Sequence, residues 1–221
     1  MIKYYERSFI LRKGRMSEES TSRGERTRSE ILEAANRLFI DRVYHGTSMR
    51  QIAQQAGISL GGIYNHFSGK EDIFTGVFME FNPYMDVLPL VNQAQGESLD
   101  EIIHDAAQRI VSGFGARTDF LNLMFIELVE FKGEHIPPLF KIVFPELMDF
   151  AQRTLTDRPE LRHIPPVILI RAFVGLFFSY TITEIIIADQ LPAEGRQGAL
   201  DYFVDIYLHG ILKDGSAWKG S

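Results

Sequence analysis

The chain has 221 residues, 45% of them hydrophobic and 24% charged, a balance that suits an ordinary globular protein of one large domain or a small one joined to a larger. With no cysteine it excludes a disulfide scaffold, a thiolate metal site and a cysteine nucleophile. The net charge of −6 is unevenly spread: residues 1–75 hold 12 Lys+Arg against 9 Asp+Glu, and residues 76–221 hold 11 against 20. A positive N-terminal part can meet phosphate while an acidic remainder is repelled from it.

Residues 1–15, MIKYYERSFILRKGR, are basic, but their apolar run is too short and too broken by charge for a signal peptide. With the polar stretch that follows they read as a disordered arm over residues 1–26, or in part as an over-called start. A basic arm can add phosphate contacts. Thr27 and Glu30 then form a T-x-x-E capping box for a first helix, whose buried face is Ile31, Ala34, Ala35, Leu38 and Phe39. The loop VYHG ends it. Thr47 or Ser48 caps a second helix with inner residues Met49, Ile52, Ala53 and Ala56. Gly57 supplies a left-handed turn residue, Ile58 plugs the turn, and Ser59 caps a third helix, LGGIYNHF, residues 60–67. Helix, glycine turn, cap and helix in this order predict a helix-turn-helix.

In the third helix Ile63 and Phe67, four apart, anchor inward and leave Leu60, Gly61, Gly62, Tyr64, Asn65 and His66 at its front or outer face. Gly61 and Gly62 cost roughly 1 kcal/mol each relative to alanine, a cost tolerated where something must approach closely. Ser68 and Glu71 form a second capping box, opening a fourth helix. Lys70, in its first turn, opposes the helix dipole, which a nearby phosphate would explain.

The fourth helix continues through Ile73, Phe74, Val77 and Phe78 to Asn82-Pro83. Ser98 and Glu101 cap a helix that buries Leu99, Ile102, Ile103, Ala106, Ile110 and Val111. Further helices are predicted over 119–131, over 139–155 with a bend at Pro145, from Pro165-Pro166 to Ile187, and over 195–212. No strand is predicted. Residues 167–187 approach the ~20 needed to cross a bilayer, but Arg171 and Glu184 would be costly in lipid, so the segment reads as a helix buried in protein, with no membrane partner. There is no His-Glu-x-x-His motif, phosphate loop or G-x-S-x-G motif, so no catalytic residue, metal or cofactor is assigned.

The pattern Ile31-Leu32-x-Ala34-Ala35-x-x-Leu38-Phe39, then Thr47, Ile52-Ala53, Ala56-Gly57-Ile58-Ser59, Gly61, Ile63-Tyr64, His66-Phe67 and Lys70-Glu71, resembles the TetR family of bacterial transcriptional regulators. It spans about a fifth of the chain. The resemblance implies an all-α fold: a three-helix helix-turn-helix DNA-binding domain at 27–72, and a larger helical effector-binding and dimerisation domain at 73–221. The third helix would enter the major groove, with its twofold mate one helical turn away. Thr47, Ser48, Tyr64, His66 and Lys70 would touch phosphates. Arg50, Leu60, Gly61 and Asn65 would face bases or a thymine methyl. Ser59 and Gly62 complete the DNA-facing set.

The same resemblance implies a homodimer through the last two helices, with Phe173, Leu176, Phe177, Tyr180, Ile185, Phe203 and Tyr207 at the interface. It implies a pocket for a largely apolar small-molecule effector, lined by His104, Phe114, Asn122, Phe125, Phe140, Phe144, Arg171, Phe177, Phe178 and Tyr180. Glu127 and Glu130 read as solvated. The implied function is a cytoplasmic repressor released from a palindromic operator by that effector. An activator on the same fold, a small helical enzyme, and an interaction protein that has lost its operator are the alternatives. Two departures stand out. Val43 replaces a usual glycine, so a left-handed helix cap is not expected there, and Leu60 replaces a residue that is polar or basic in many members.

Overall fold

The computed structural model describes residues 23–115, 118–156 and 158–212; most of the expected arm lies outside these residues. Among them are ten α-helices: α1 (Arg23–Arg42), α2 (Met49–Gln55), α3 (Leu60–Tyr64), α4 (Lys70–Glu80), α5 (Tyr84–Val91), α6 (Leu99–Gly115), α7 (Thr118–Glu130), α8 (Ile136–Leu155), α9 (Pro166–Ile187) and α10 (Ala199–Ile211). The only extended pairing among the described residues is one isolated bridge between Leu161 and Leu212, so the chain is all-α. Contacts group the helices into two units, one of residues up to 82 with 119–142, the other of 83–118 with 143 onward. The first is larger than the segment 27–72 marked out by the sequence motif.

In the first unit, α1 buries Ile31, Leu32, Ala34, Ala35, Leu38 and Phe39, and packs on α2 and α4, while α2 packs on α3. Thr27 does not cap α1. The helix is already under way at Arg23, and the Thr27 hydroxyl donates to the Arg23 carbonyl at 3.1 Å, while Glu30 pairs with Arg26. At the other end Val43 takes φ +52, so the left-handed cap forms after all, without glycine. The Thr47 hydroxyl reaches the Leu38 and Val43 carbonyls at 3.2 and 3.1 Å, meeting the need of a helix end for partners to its last carbonyls. A β-branched residue in this conformation stores about 1–2 kcal/mol. The box at α4 is displaced by one residue: Gly69 is the N-cap, and the Ser68 amide and hydroxyl both donate to the Asp72 carboxylate rather than to Glu71.

The corner between α7 and α8 belongs to this unit. Phe131 stacks on Phe74 of α4 with centroids 4.6 Å apart, and meets the Tyr44 ring edge-on at 4.9 Å. Glu127, expected to be solvated, is wholly buried. Its carboxylate accepts from the His135 amide and from His135 Nδ1, both at 2.7 Å, and His135 Nε2 lies 2.8 Å from the Thr75 hydroxyl of α4. The carboxylate is buried because it satisfies both donors of a residue that the turn through Lys132 and Gly133, both at positive φ, brings back over α7. Glu130 is paired too, with His45 at 2.5 Å.

In the second unit, α5 was not foreseen; Pro89 and its length of eight residues hid it. It lies close on α6 at Gly113, where a Cβ would run into the Val87 side chain. Tyr84 meets Phe114 edge-on at 5.0 Å, and burial pushes its phenol up to about 12. Ser98 caps α6 by accepting from the Glu101 amide, though the Glu101 carboxylate reaches the Glu97 amide instead of that of Ser98. Helix α9 packs against α6 and α10. Phe173 sits among Phe150, Phe177 and Tyr207, and the Tyr207 hydroxyl donates to the Leu169 carbonyl. Phe173, Phe177, Tyr180 and Tyr207, expected at a dimer surface, are therefore interior to one protomer: their spacing puts them on the inward side of α9 and α10. Leu176, Ile185 and Phe203 are half-buried. α10 starts at Ala199, after Gly198 at φ +66, rather than at Gly195.

Replacing the exposed Val43 by glycine is expected to stabilise the protein by about 1 kcal/mol, seen as a higher urea midpoint at unchanged slope; a lower midpoint would show that the loop carries no strain. Glu127→Ala strands the His135 donors in the interior and is expected to cost about 3 kcal/mol. Glu127→Gln, which keeps an acceptor, is expected to cost about half as much. Equal losses in thermal denaturation would rule out the carboxylate as the reason the pair is buried.

Candidate nucleic-acid interface

A five-residue helix with two glycines has little intrinsic stability, so α3 depends on its surroundings. The Ser59 hydroxyl accepts from the Gly62 amide at 3.0 Å and fills the space a Gly62 side chain would need. Ile63 is buried, as is Phe67 just beyond the helix, and the amides of His66 and Phe67 both return to the Ile63 carbonyl at 3.0 Å. With one side pinned, the other is open: Leu60 and Tyr64 are 43% and 53% exposed, and Gly61 and Asn65 are exposed with them. Among the described residues, nothing beyond its own turn of helix comes within 4 Å of where a Gly61 Cβ would stand. The fold does not require glycine there.

Helix α2 presents Ser48 and Arg50 on the surface. Ser48 is the N-cap, in a reciprocal box with Gln51: its hydroxyl accepts from the Gln51 amide at 3.3 Å, and its own amide donates to Gln51 Oε1 at 2.8 Å. Thr47 departs from the expected set. It is buried, with its hydroxyl committed to the carbonyls of Leu38 in α1 and Val43 just after it, so its side chain does not face outward. Gly62 and His66 are half-buried.

Lys70 does more than offer a charge. Its ammonium donates to the Tyr44 and Thr47 carbonyls, both at 2.9 Å, and stands 4.1 Å from the centre of the Tyr44 ring. Burial holds its pKa below the usual value, against a smaller upward pull from Glu130. It clamps the loop between α1 and α2 onto the start of α4, beside an open cleft of about 560 Å³ lined by Tyr44, Ser68, Gly69, Lys70, Glu71, Asp72 and Thr75.

Three residues of this region were not singled out in the sequence. Gln51 completes an S-x-x-Q box that the spacing offered. Tyr44 gave no signal, since its role depends on Lys70, 26 residues later. Arg28 lies on the same stripe of α1 as Ile31, Leu32 and Ala35, where a cation needs an acceptor. It finds one in the His66 carbonyl, 3.2 Å from Nη1, and its guanidinium stands 4.1 Å over the Phe67 ring.

The residues expected to line an effector pocket fall in both units. Asn122, Phe125 and Phe140 belong to the first unit and are exposed. In the second, Phe114 and Phe178 meet at 6.5 Å and Tyr180 packs on Phe203, but Phe177 is core and Arg171 faces outward. Phe144 is half-buried, and His104 sits between Asp100 and Asp201 at 3.6 and 3.7 Å. None of this set lines the cleft at Lys70.

Comparison with known proteins agrees with this geometry. A family model described as bacterial regulatory proteins, tetR family, matches residues 31–77. The helix-turn-helix transcriptional repressor AcnR of Corynebacterium glutamicum is 35% identical over 182 residues, covering 79% of this chain and 89% of that protein. The transcriptional regulator AcrR of Shigella flexneri is 34% identical over 163 residues, covering 71% and 75%. In fold, the chain is similar to the crystal structure of a tetR-family regulator from Mesorhizobium loti, with a TM-score of 0.67 at 21% identity over 87% of this chain and 100% of the other. These relatives are all named as transcriptional regulators. The chain thus belongs to the tetR family of DNA-binding, helix-turn-helix transcriptional regulators.

Proposed function

We propose that this chain is a cytoplasmic, homodimeric repressor that binds a palindromic operator through α3 in the major groove and is released by a largely apolar small molecule. The observation that carries the reading is the open side of α3. Gly61 has empty space beyond it, in a short helix that pays a propensity cost for having no side chain there. A phosphate or base edge arriving from outside explains the glycine. Ser48, Tyr64, His66 and Lys70 are groups able to meet phosphate, and Arg50, Leu60 and Asn65 groups able to meet bases. AcnR of Corynebacterium glutamicum, similar over most of its length, is named a repressor, which favours that sign of regulation over activation.

The dimer reading rests on the outward side of α9, where Ile168, Ala172, Gly175, Ser179 and Ile186 are exposed, and on Tyr202 and Ile206 of α10. By length and composition α9 could cross a membrane. The burial of its other side against α6 and α10, together with the charges of Arg171 and Glu184 along the helix, favours a twofold four-helix seam instead. The aromatic residues of the second unit suit an apolar effector. Release would act through α4, whose Thr75 is tied to His135 at the α7–α8 corner, by favouring a state in which the two α3 helices no longer match the operator.

Selection from random duplex DNA at near-physiological salt should enrich a palindrome; a folded dimer that enriches none would count against the operator reading. Gly61→Ala is expected to stabilise the free protein by about 0.5–1 kcal/mol while weakening operator binding at least tenfold, and a parallel change in both would refute the close-approach argument. Tyr64→Ala with Lys70→Ala should weaken binding to all duplexes, whereas Arg50→Ala should change which sequence is preferred. Ile168→Asp with Ile206→Asp should convert a dimer to a monomer in sedimentation, and an unaltered dimer would place the seam elsewhere.

A further inference from the structure

The position of Arg28 has a use beyond packing. Ile63 and Phe67 anchor α3 along one inner line, about which so short a helix can roll. A second fixed point is needed to set its rotation. Arg28 supplies one from α1, a helix of 20 residues held on both α2 and α4. One guanidinium N–H donates to the His66 carbonyl at 3.2 Å, two residues past the end of α3. The guanidinium plane covers the buried Phe67 ring at 4.1 Å, where shielding from water strengthens the attraction. His66 and Phe67 directly follow Tyr64 and Asn65 on the exposed side. A shift of the His66 carbonyl therefore swings the side chains that face the groove.

We propose that Arg28 is a positioning residue for sequence discrimination: it fixes the rotation of α3 relative to α1, and thereby decides how well the protein tells its operator from other DNA, without itself touching a base. This rests on the reading that α3 enters the groove. Arginine is suited to the task because its planar fork can bond a carbonyl and stack on a ring at once, whereas the more strongly hydrated lysine ammonium offers no such plane.

The test uses the full-length protein, the duplex enriched by selection, and a scrambled duplex of equal length. Affinities for both are measured across a salt series for the parent, Arg28→Lys, Phe67→Leu and the double variant, with circular dichroism confirming the helix content of each. The expected result is a fall of about tenfold in the ratio of operator to scrambled affinity in each single variant. The double variant should be little worse than either, because both changes remove one interaction. Affinity for the scrambled duplex and the salt slope should stay as in the parent. Equal losses on both duplexes, with a slope lower by about one, would make Arg28 a phosphate contact and overturn the proposal. So would an unchanged ratio in folded Arg28→Lys and Phe67→Leu. A parent protein that prefers no duplex would instead overturn the DNA-reading role of α3, and this inference with it.

Discussion

Everything in the N-terminal unit answers to one constraint: α3 is too short and too rich in glycine to hold its own shape. A single helical turn costs more order than its hydrogen bonds return. Its geometry is therefore borrowed. Ser59 closes its first turn, Ile63 and Phe67 tie it to the core beneath, and Gly57, at φ +69, sets the angle at which the chain leaves α2. Longer helices supply the rigidity. α1 buries an unbroken apolar stripe, and α4 carries Ile73, Phe74, Val77 and Phe78 inward against it. Leu60, Gly61, Tyr64 and Asn65 stay exposed, outside the packing that fixes the helix.

The α7–α8 corner applies a different kind of fastening. Apolar stacking of Phe131 on Phe74 is tolerant of small slides, whereas hydrogen bonds are directional. The Glu127–His135–Thr75 chain adds that directionality at the same place, so the corner meets α4 in one register. The Lys70 clamp does the same for the loop after α1. Both fastenings converge on α4, which makes that helix the member whose placement governs the rest of the unit.

Local patterning made much of this legible. The buried stripe of α1, the Gly57 turn, the Ser59 cap and the Ile63–Phe67 pair each follow from spacing within a few residues, and each is found as expected. What was misread depends on distant partners. Glu127 looks solvated because its partner is set by a turn that the α7 sequence does not describe. Thr47 looks outward-facing because its acceptors, the Leu38 and Val43 carbonyls, lie in and just after α1. Val43 looks unable to cap a helix, yet the Thr47 hydroxyl and the packing around the loop hold it in a conformation its side chain disfavours. On α9 the apolar count was right, but a nearly all-round apolar helix does not say which side meets the protomer's own core; Phe173 and Phe177 turned inward, and Ile168 and Ile186 outward. Arg28 and Tyr44 belong to the same class, since each matters through residues more than twenty positions away.

The near-uniform apolarity of α9 also bears on how the chain is made. Synthesis runs from α9 to α10, and the stretch from Ile187 to Ile211 takes about 1–5 s at ordinary elongation rates. For that interval a helix long and apolar enough to enter a bilayer has α6 available to cover it but not α10. Arg171 and Glu184, near its two ends, each add about 2.5–3.5 kcal/mol or less, according to depth, to the cost of lipid insertion. These two charges form no part of the finished core. They make α9 a poorer membrane segment than its length and mean composition suggest.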